Sequence, residues 1–267
     1  MNGKLIFLDV DDTLFSNTTS SVPPSAIEGI KQAQKNNHKI FINTGRPFSY
    51  FEKEITEIGF DGFLCSNGLD LRIHDQPVFY KDLPANVGKE MERLALKNHI
   101  KGSLQGHDCL YFTDHDMDFH PHYGYMIECY DRSSYMPHTF SWDNAKDYEK
   151  LSCFSKSPED MQNFIKDLDK MDFEFDYVRI TDLHYEMLTK GYHKGTAVEF
   201  TAKYFGKTTD DCYAFGDSNN DLEMLETAGY GIAMGNACDE LIAIADYVTT
   251  PILENGIYNG LKHFNLI

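Results

Sequence analysis

The stretch that most restricts this chain is Lys4 to Leu14, KLIFLDVDDTL. Leu5, Ile6, Phe7 and Leu8 form an unbroken apolar run, which predicts a strand buried on both faces within a parallel sheet. The run stops at three carboxylates, Asp9, Asp11 and Asp12. Open α/β sheets bind ligands just beyond the carboxyl ends of their strands, where these acids would stand. In extended chain Asp9 and Asp11 project to one side and Val10 to the other. Two carboxylates that close raise each other's pKa unless a cation or a shared proton intervenes. The pattern predicts a divalent-metal or proton-sharing site. The competing reading is a solvated acidic turn that caps a helix.

The following residues continue the same grammar. Pro23-Pro24-Ser25 opens a helix with Ile27, Ile30 and Ala33 at helical spacing. Lys39–Asn43 is a second apolar strand, running into Thr44-Gly45-Arg46-Pro47. A helix is predicted next, with Phe48, Phe51, Ile55 and Ile58 on one face and Gly59 at its end, then a strand at 63–66. Alternating strands and helices define a parallel sheet with right-handed crossovers. Asn67-Gly68 reads as a turn before a hairpin of 69–73 and 77–81. From 83 to 186 the texture changes. Helices are predicted at 84–97 and from Ser157-Pro158, and the aromatic-rich segments 109–113 and 119–130 suit antiparallel strands. This stretch reads as an α+β domain inserted into the first. The first grammar returns with a helix from Lys194, a strand at 212–215, then Gly216-Asp217-Ser218-Asn219-Asn220-Asp221 and a further helix.

A net charge of −18 argues against nucleic acid and anionic membranes as partners. A small phosphorylated substrate stays compatible, because a bound cation reverses the local field. Six scattered cysteines without a C-x-x-C pair read as reduced thiols. With no secretory or membrane-spanning apolar run, a soluble cytoplasmic protein is expected.

Four groups fall where strand ends converge: Asp9 with Asp11, Thr44, Lys194, and Asp217 with Asp221. Singly they are ordinary, since Thr44 suits a cap of the helix after Pro47, Asp217 a turn and Lys194 a solvated helix end. Together and in this order they resemble the haloacid dehalogenase-like superfamily of aspartate-nucleophile phosphatases. D-x-D-D-T-L at 9–14 matches its first motif, and Thr44 in Asn43-Thr44-Gly45-Arg46 its second. Lys194 before Gly195 matches the third, and Gly216-Asp217-x-x-Asn220-Asp221-x-x-Met224 the fourth. The long insertion and the tail Glu254-Asn255-Gly256-Ile257 look like the Cof-type branch with a large α/β cap. Lys190 is a rival for the third motif; Lys194 is preferred because glycine follows it and a helix starts there.

The resemblance implies a Rossmann-like parallel-sheet core of helices on both faces, residues 1–82 and 187–267, with a substrate-specificity cap at 83–186. It implies a Mg2+-dependent phosphatase of small phosphorylated metabolites, sugar phosphates first. Asp9 would be the nucleophile and Asp11 the acid/base. Asp9, the Asp11 main-chain carbonyl and Asp217 would bind Mg2+, with Asp221 behind them. Thr44, Gly45, Lys194 and Asn220 would hold the phosphate, and Arg46 would reach substrate or form an ion pair. Asp12 and Thr13 would shape the loop. Two other readings stay open: a phosphotransferase or phosphomutase on the same chemistry, and a non-catalytic phospho-receiver. The crowd of His107, Asp108, Cys109, His115, Asp116, Asp118, His120 and His122 reads as a polar face, a substrate contact or a transition-metal site.

Overall fold

The computed structural model describes residues 3–74, 76–106, 108–132, 138–143 and 145–267, with Arg132 described in its backbone alone. Its first elements are strand β1 (Leu5–Leu8), helix α1 (Pro24–Lys35), β2 (Lys39–Asn43), the single turn α2 (Lys53–Thr56), β3 (Gly62–Cys65), β4 (Asp70–Ile73) and β5 (Gln76–Tyr80). Then come α3 (Ala85–Lys97), β6 (Lys101–Gly106), β7 (Leu110–Phe112), α4 (Pro121–Arg132), β8 (His138–Thr139), β9 (Tyr148–Phe154), α5 (Pro158–Leu168), β10 (Phe175–Thr181) and β11 (His184–Thr189). The chain closes with α6 (Lys194–Tyr204), β12 (Cys212–Gly216), α7 (Leu222–Thr227), β13 (Tyr230–Ala233), α8 (Asp239–Ile244), β14 (Tyr247–Val248) and α9 (Gly256–His263).

The chain divides into two compact units. One comprises the residues up to Arg46, Glu52–Tyr80 and His193–Ile267; the other comprises Pro47–Phe51 and Lys81–Tyr192. The first unit carries an eight-stranded sheet in the order β14-β13-β12-β1-β2-β3-β4-β5. Every pairing from β14 to β3 is parallel, and β4 and β5 add an antiparallel edge. Side-chain alternation splits the interior. Leu5, Phe7, Cys212 and Ala214 pack with Ala197, Val198 and Ala202 of α6, while Phe215 meets Gly260 of α9 on the opposite face. All four residues of β1 are fully buried, as a doubly covered strand requires. The strand order reverses at β1, with β12 on one side and β2 on the other, so the ligand crevice of such a sheet lies beyond Leu8.

The second unit is built on a sheet in the order β10-β11-β9-β6-β7-β8, antiparallel except for β7 with β8. Helices α3 and α5 cover one face through Val87, Met91, Leu94, Met161, Phe164 and Leu168. The Ser157 hydroxyl accepts the Asp160 amide at 3.1 Å and Pro158 follows, a standard helix start. Helix α4 packs through Tyr123, Ile127 and Tyr130 with Leu110, Phe112 and Phe154.

Three expectations change. Residues 119–130 are not a strand: Pro121 opens α4, and Tyr123, Ile127 and Tyr130 recur every three to four residues, so helical periodicity overrides the strand preference of aromatics. The helix expected through Phe48 and Phe51 shrinks to Lys53–Thr56. Residues 47–51 belong to the second unit instead, where Tyr50 stacks on Tyr130 and the Ser49 hydroxyl donates to Gly106. That unit also reaches Tyr192 rather than 186, because β11 continues to Thr189 and the Lys190 amide bonds Glu174.

Candidate active site

Parallel in-register pairing delivers the site. Leu8 lies opposite Ile42 on β2 and Phe215 on β12, so Asp9, Asn43-Thr44 and Gly216-Asp217 leave three adjacent strand ends together. Helix α6 starts at Lys194, whose side chain is fully buried. Its ammonium lies 2.6 Å from Asp9 Oδ1, 2.6 Å from Asp221 Oδ1 and 3.2 Å from Asn220 Oδ1. Lys190, the rival, pairs with Glu174 at 3.0 Å. Asp221 also accepts the Asp217 and Ser218 amides on Oδ2, at 3.0 and 3.1 Å. The fully buried Thr13 donates its hydroxyl to Asp217 Oδ1 at 2.8 Å, so the loop residue fixes a site carboxylate.

Asp9, Asp217 and Asp221 bring carboxylate oxygens within 4.8 Å of one another. Burial pushes the Asp9 carboxyl up despite the pull of Lys194, and Asp221 and Asp217 add to the rise. Burial and Asp221 push Asp217 up to about 7. Burial opposes the charge on Lys194, yet Asp221 and Asp9 together raise its proton affinity above that of a free lysine. With all three carboxylates ionised, one ammonium would leave two negative charges, the complement of a divalent cation. The donors are hard oxygens, which suit Mg2+. Asp9 and Asp217 each spend one oxygen on a protein donor, whereas both oxygens of Asp221 are bonded by protein groups. The set fits such an ion, with Asp221 as its support.

Asp11 departs from the extended-strand expectation. The strand ends at Leu8, so alternation lapses, and the Asp11 carboxylate is not in the acidic cluster. It forms a forked pair with Arg46, at 2.6 Å to Nη2 and 3.0 Å to Nε. Arg46 is held in turn by Glu52 at 2.9 Å, a partner that no motif marks. Thr44 is buried, and its hydroxyl accepts the Arg46 amide at 3.2 Å. Gly45 sits against Asn67, whose side-chain oxygen would lie 3.3 Å from an added Cβ. Asn43 was also not singled out, although a carboxamide in the apolar run KIFIN is itself a signal. Among the described residues no second group of three His, Cys, Asp or Glu ligands comes together. In the histidine-rich segment His115 pairs with Asp131, and Lys101 with Asp114 and Asp116; His107 lies outside the described residues. All six cysteines are free thiols, and no described helix is long and apolar enough to cross a membrane.

A crevice at the switch point of a doubly wound sheet, with a buried aspartate gripped by a lysine from the far half of the chain, defines a class of hydrolase. The family model for haloacid dehalogenase-like hydrolases matches residues 6–261, and the chain belongs to that family. Over their full lengths, this chain is 29% identical to YkrA of Bacillus subtilis (strain 168). It is 25% identical to 5-amino-6-(5-phospho-D-ribitylamino)uracil phosphatase YitU of the same organism, covering 97% of each chain. The solved structure of the sugar phosphatase BT4131, of HAD subclass IIB, superposes with a TM-score of 0.82 at 26% identity, over 99% of this chain and 100% of that one.

Proposed function

We propose that this hydrolase is a Mg2+-dependent phosphatase of small phosphorylated metabolites, with phosphorylated sugars and polyols as its substrate class. The observation that carries this reading is the Asp9 carboxylate, buried at the switch point with Lys194 at 2.6 Å and Asp217 beside it. The sugar phosphatase BT4131 and the phosphoribityl substrate in the name of YitU support the polyol-phosphate class.

Asp9 attacks phosphorus and takes the phosphoryl group as an aspartyl-phosphate, which divides hydrolysis into two easier displacements. Asp11 gives a proton to the leaving alkoxide and then takes one from the attacking water. To do so its carboxylate must leave the Arg46 fork in which it rests. Thr44, the Gly45 amide, Lys194 and Asn220 hold the phosphoryl oxygens, since positioning and charge stabilisation dominate phosphoryl transfer. Asp9, Asp217 and the Asp11 main-chain carbonyl would hold Mg2+. When bound, the ion supplies the positive charge that lets an anionic carboxylate approach an anionic ester. The second unit, through its main segment Lys81–Tyr192, selects the leaving group. The test is a panel of phosphate esters read by inorganic phosphate release, with Mg2+ and after exhaustive chelation. Turnover of sugar and polyol phosphates that needs Mg2+ is expected; full activity in chelator, or no release from any ester, overturns the reading.

A further inference from the structure

Asn43 ends β2 and is fully buried. Its amide nitrogen donates to the main-chain carbonyl of Lys194 at 2.9 Å and to the Met224 sulfur at 3.2 Å. Its carboxamide oxygen is buried with no hydrogen-bond partner. A buried acceptor without a partner costs free energy that an apolar side chain of the same shape does not. The Lys194 carbonyl opens α6, where the helix's own ladder supplies a donor four residues on, so it does not depend on Asn43 for satisfaction. Stability alone therefore gives no reason for an amide here.

What the amide does is pin the first residue of α6 to the strand end beside Asp9. A second device presses on the same turn. Ser66, Asn67 and Gly68 all have positive φ, a run of left-handed backbone that is unfavourable for Ser. A Cβ at Gly68 would stand 3.0 Å from the His193 carbonyl oxygen and 3.2 Å from Thr196 Oγ1. The strained turn lets the start of α6 come close.

We propose that Asn43 is a positioning residue for Lys194, setting where α6 begins so that the ammonium meets the phosphoryl oxygens beside Asp9. This rests on the reading of Lys194 as a phosphoryl-holding cation. Misplacement of a catalytic group by about 1 Å can cost about a hundredfold in rate, so the loss of one anchor should be visible in turnover.

The test uses the whole chain with Mg2+ and p-nitrophenyl phosphate, with orthovanadate as a mimic of the transferring group. Asn43→Leu, close in shape and apolar, should keep or raise the thermal midpoint, lower kcat about tenfold or more and weaken orthovanadate inhibition in step. In a Lys194→Met background the same substitution should change turnover less than about twofold, because its effect passes through the lysine. Asn43→Ala, which cannot overpack, should repeat both results. A kcat within about twofold of the parent for both variants overturns the inference. So does an equal fold-loss in both backgrounds, or unchanged orthovanadate inhibition, which would mark a merely structural role. If Lys194→Met itself keeps full turnover, the reading of Lys194 fails first, a result distinct from failure at Asn43.

Discussion

Asp9 and Asp11 stand two residues apart in opposite environments: Asp9 is buried against Lys194, while the half-exposed Asp11 carboxylate lies in the Arg46 fork. That difference suits a division of labour between nucleophile and proton carrier. Asp9→Asn keeps the shape and removes the proposed nucleophile, so no phosphoenzyme should form and turnover should fall by about a thousandfold or more. Asp11→Asn keeps the nucleophile and loses the proton. Its first step should slow most for sugar phosphates, whose alkoxides need protonation, and least for an aryl phosphate. Its second step should stall, because the water has lost its base. Rapid-quench phosphate labelling of both variants checks this; labelling of Asp9→Asn, or equal slowing of both esters in Asp11→Asn, would show the roles misassigned. That Asp9, Lys194 and Asp217 come together was legible because motif order survives in one dimension. The orientation of Asp11 was not, since strand alternation stops at Leu8. Glu52 was not either, because its partner lies in space and not in a pattern, and Asn43 shows in the sequence only as a carboxamide in an apolar run, with its partner unmarked.

At the scale of elements, buried strands announced themselves as apolar runs, and β1, β2 and β12 appear where KLIFL, KIFIN and CYAF place them. Helix α4 was hidden because its Tyr-rich composition favours strands and only its spacing does not. The register of elements also rests on glycines that no periodicity reveals. Gly260 of α9 is one: a Cβ there would stand 2.4 Å from Phe215 Cε1, and that ring is fully buried. Phe215 sits in the middle of the sheet, two residues before Asp217, so it cannot swing to solvent. Gly260→Ala should therefore push α9 off β12 and destabilise the first unit by about 1–3 kcal/mol, the usual cost of overpacking. Urea unfolding followed by the aromatic signal measures it; a midpoint unchanged from the parent would mean that α9 shifts freely. Gly206, which has open space around its Cβ position, provides the contrast, because its positive φ of 65° makes any cost there conformational.

For the whole molecule, the site's acids should set how stability responds to pH and to metal. Asp9 and Asp217 both hold protons more tightly in the folded chain than an unfolded aspartate does, mainly through burial and then through the charge of Asp221, with Asp217 adding to the rise at Asp9. Between the unfolded aspartate pKa and about 7, the folded state of the metal-free chain then binds more protons than the unfolded one. Stability must fall as pH rises across that window, the reverse of a salt-bridged carboxylate. In chelator, the thermal midpoint contributed by this site should drop from pH 5 to pH 8. A divalent cation that binds only the folded site raises stability by mass action, and it replaces the protons, so Mg2+ should raise the midpoint most at pH 8 and flatten the slope. Asp217→Asn removes one of the two acids: its chelated form should lose part of the pH slope and gain less from Mg2+. Ca2+ should stabilise the parent yet support turnover poorly, because its longer bonds and larger ligand number disturb the approach of Asp9 to phosphorus. The measurement is thermal unfolding of parent and Asp217→Asn across pH 5 to 8, in chelator, Mg2+ and Ca2+. A parent whose midpoint in chelator rises steadily with pH, with no response to Mg2+ at pH 8, would mean that Asp9 and Asp217 are not the protonated, cation-seeking pair described.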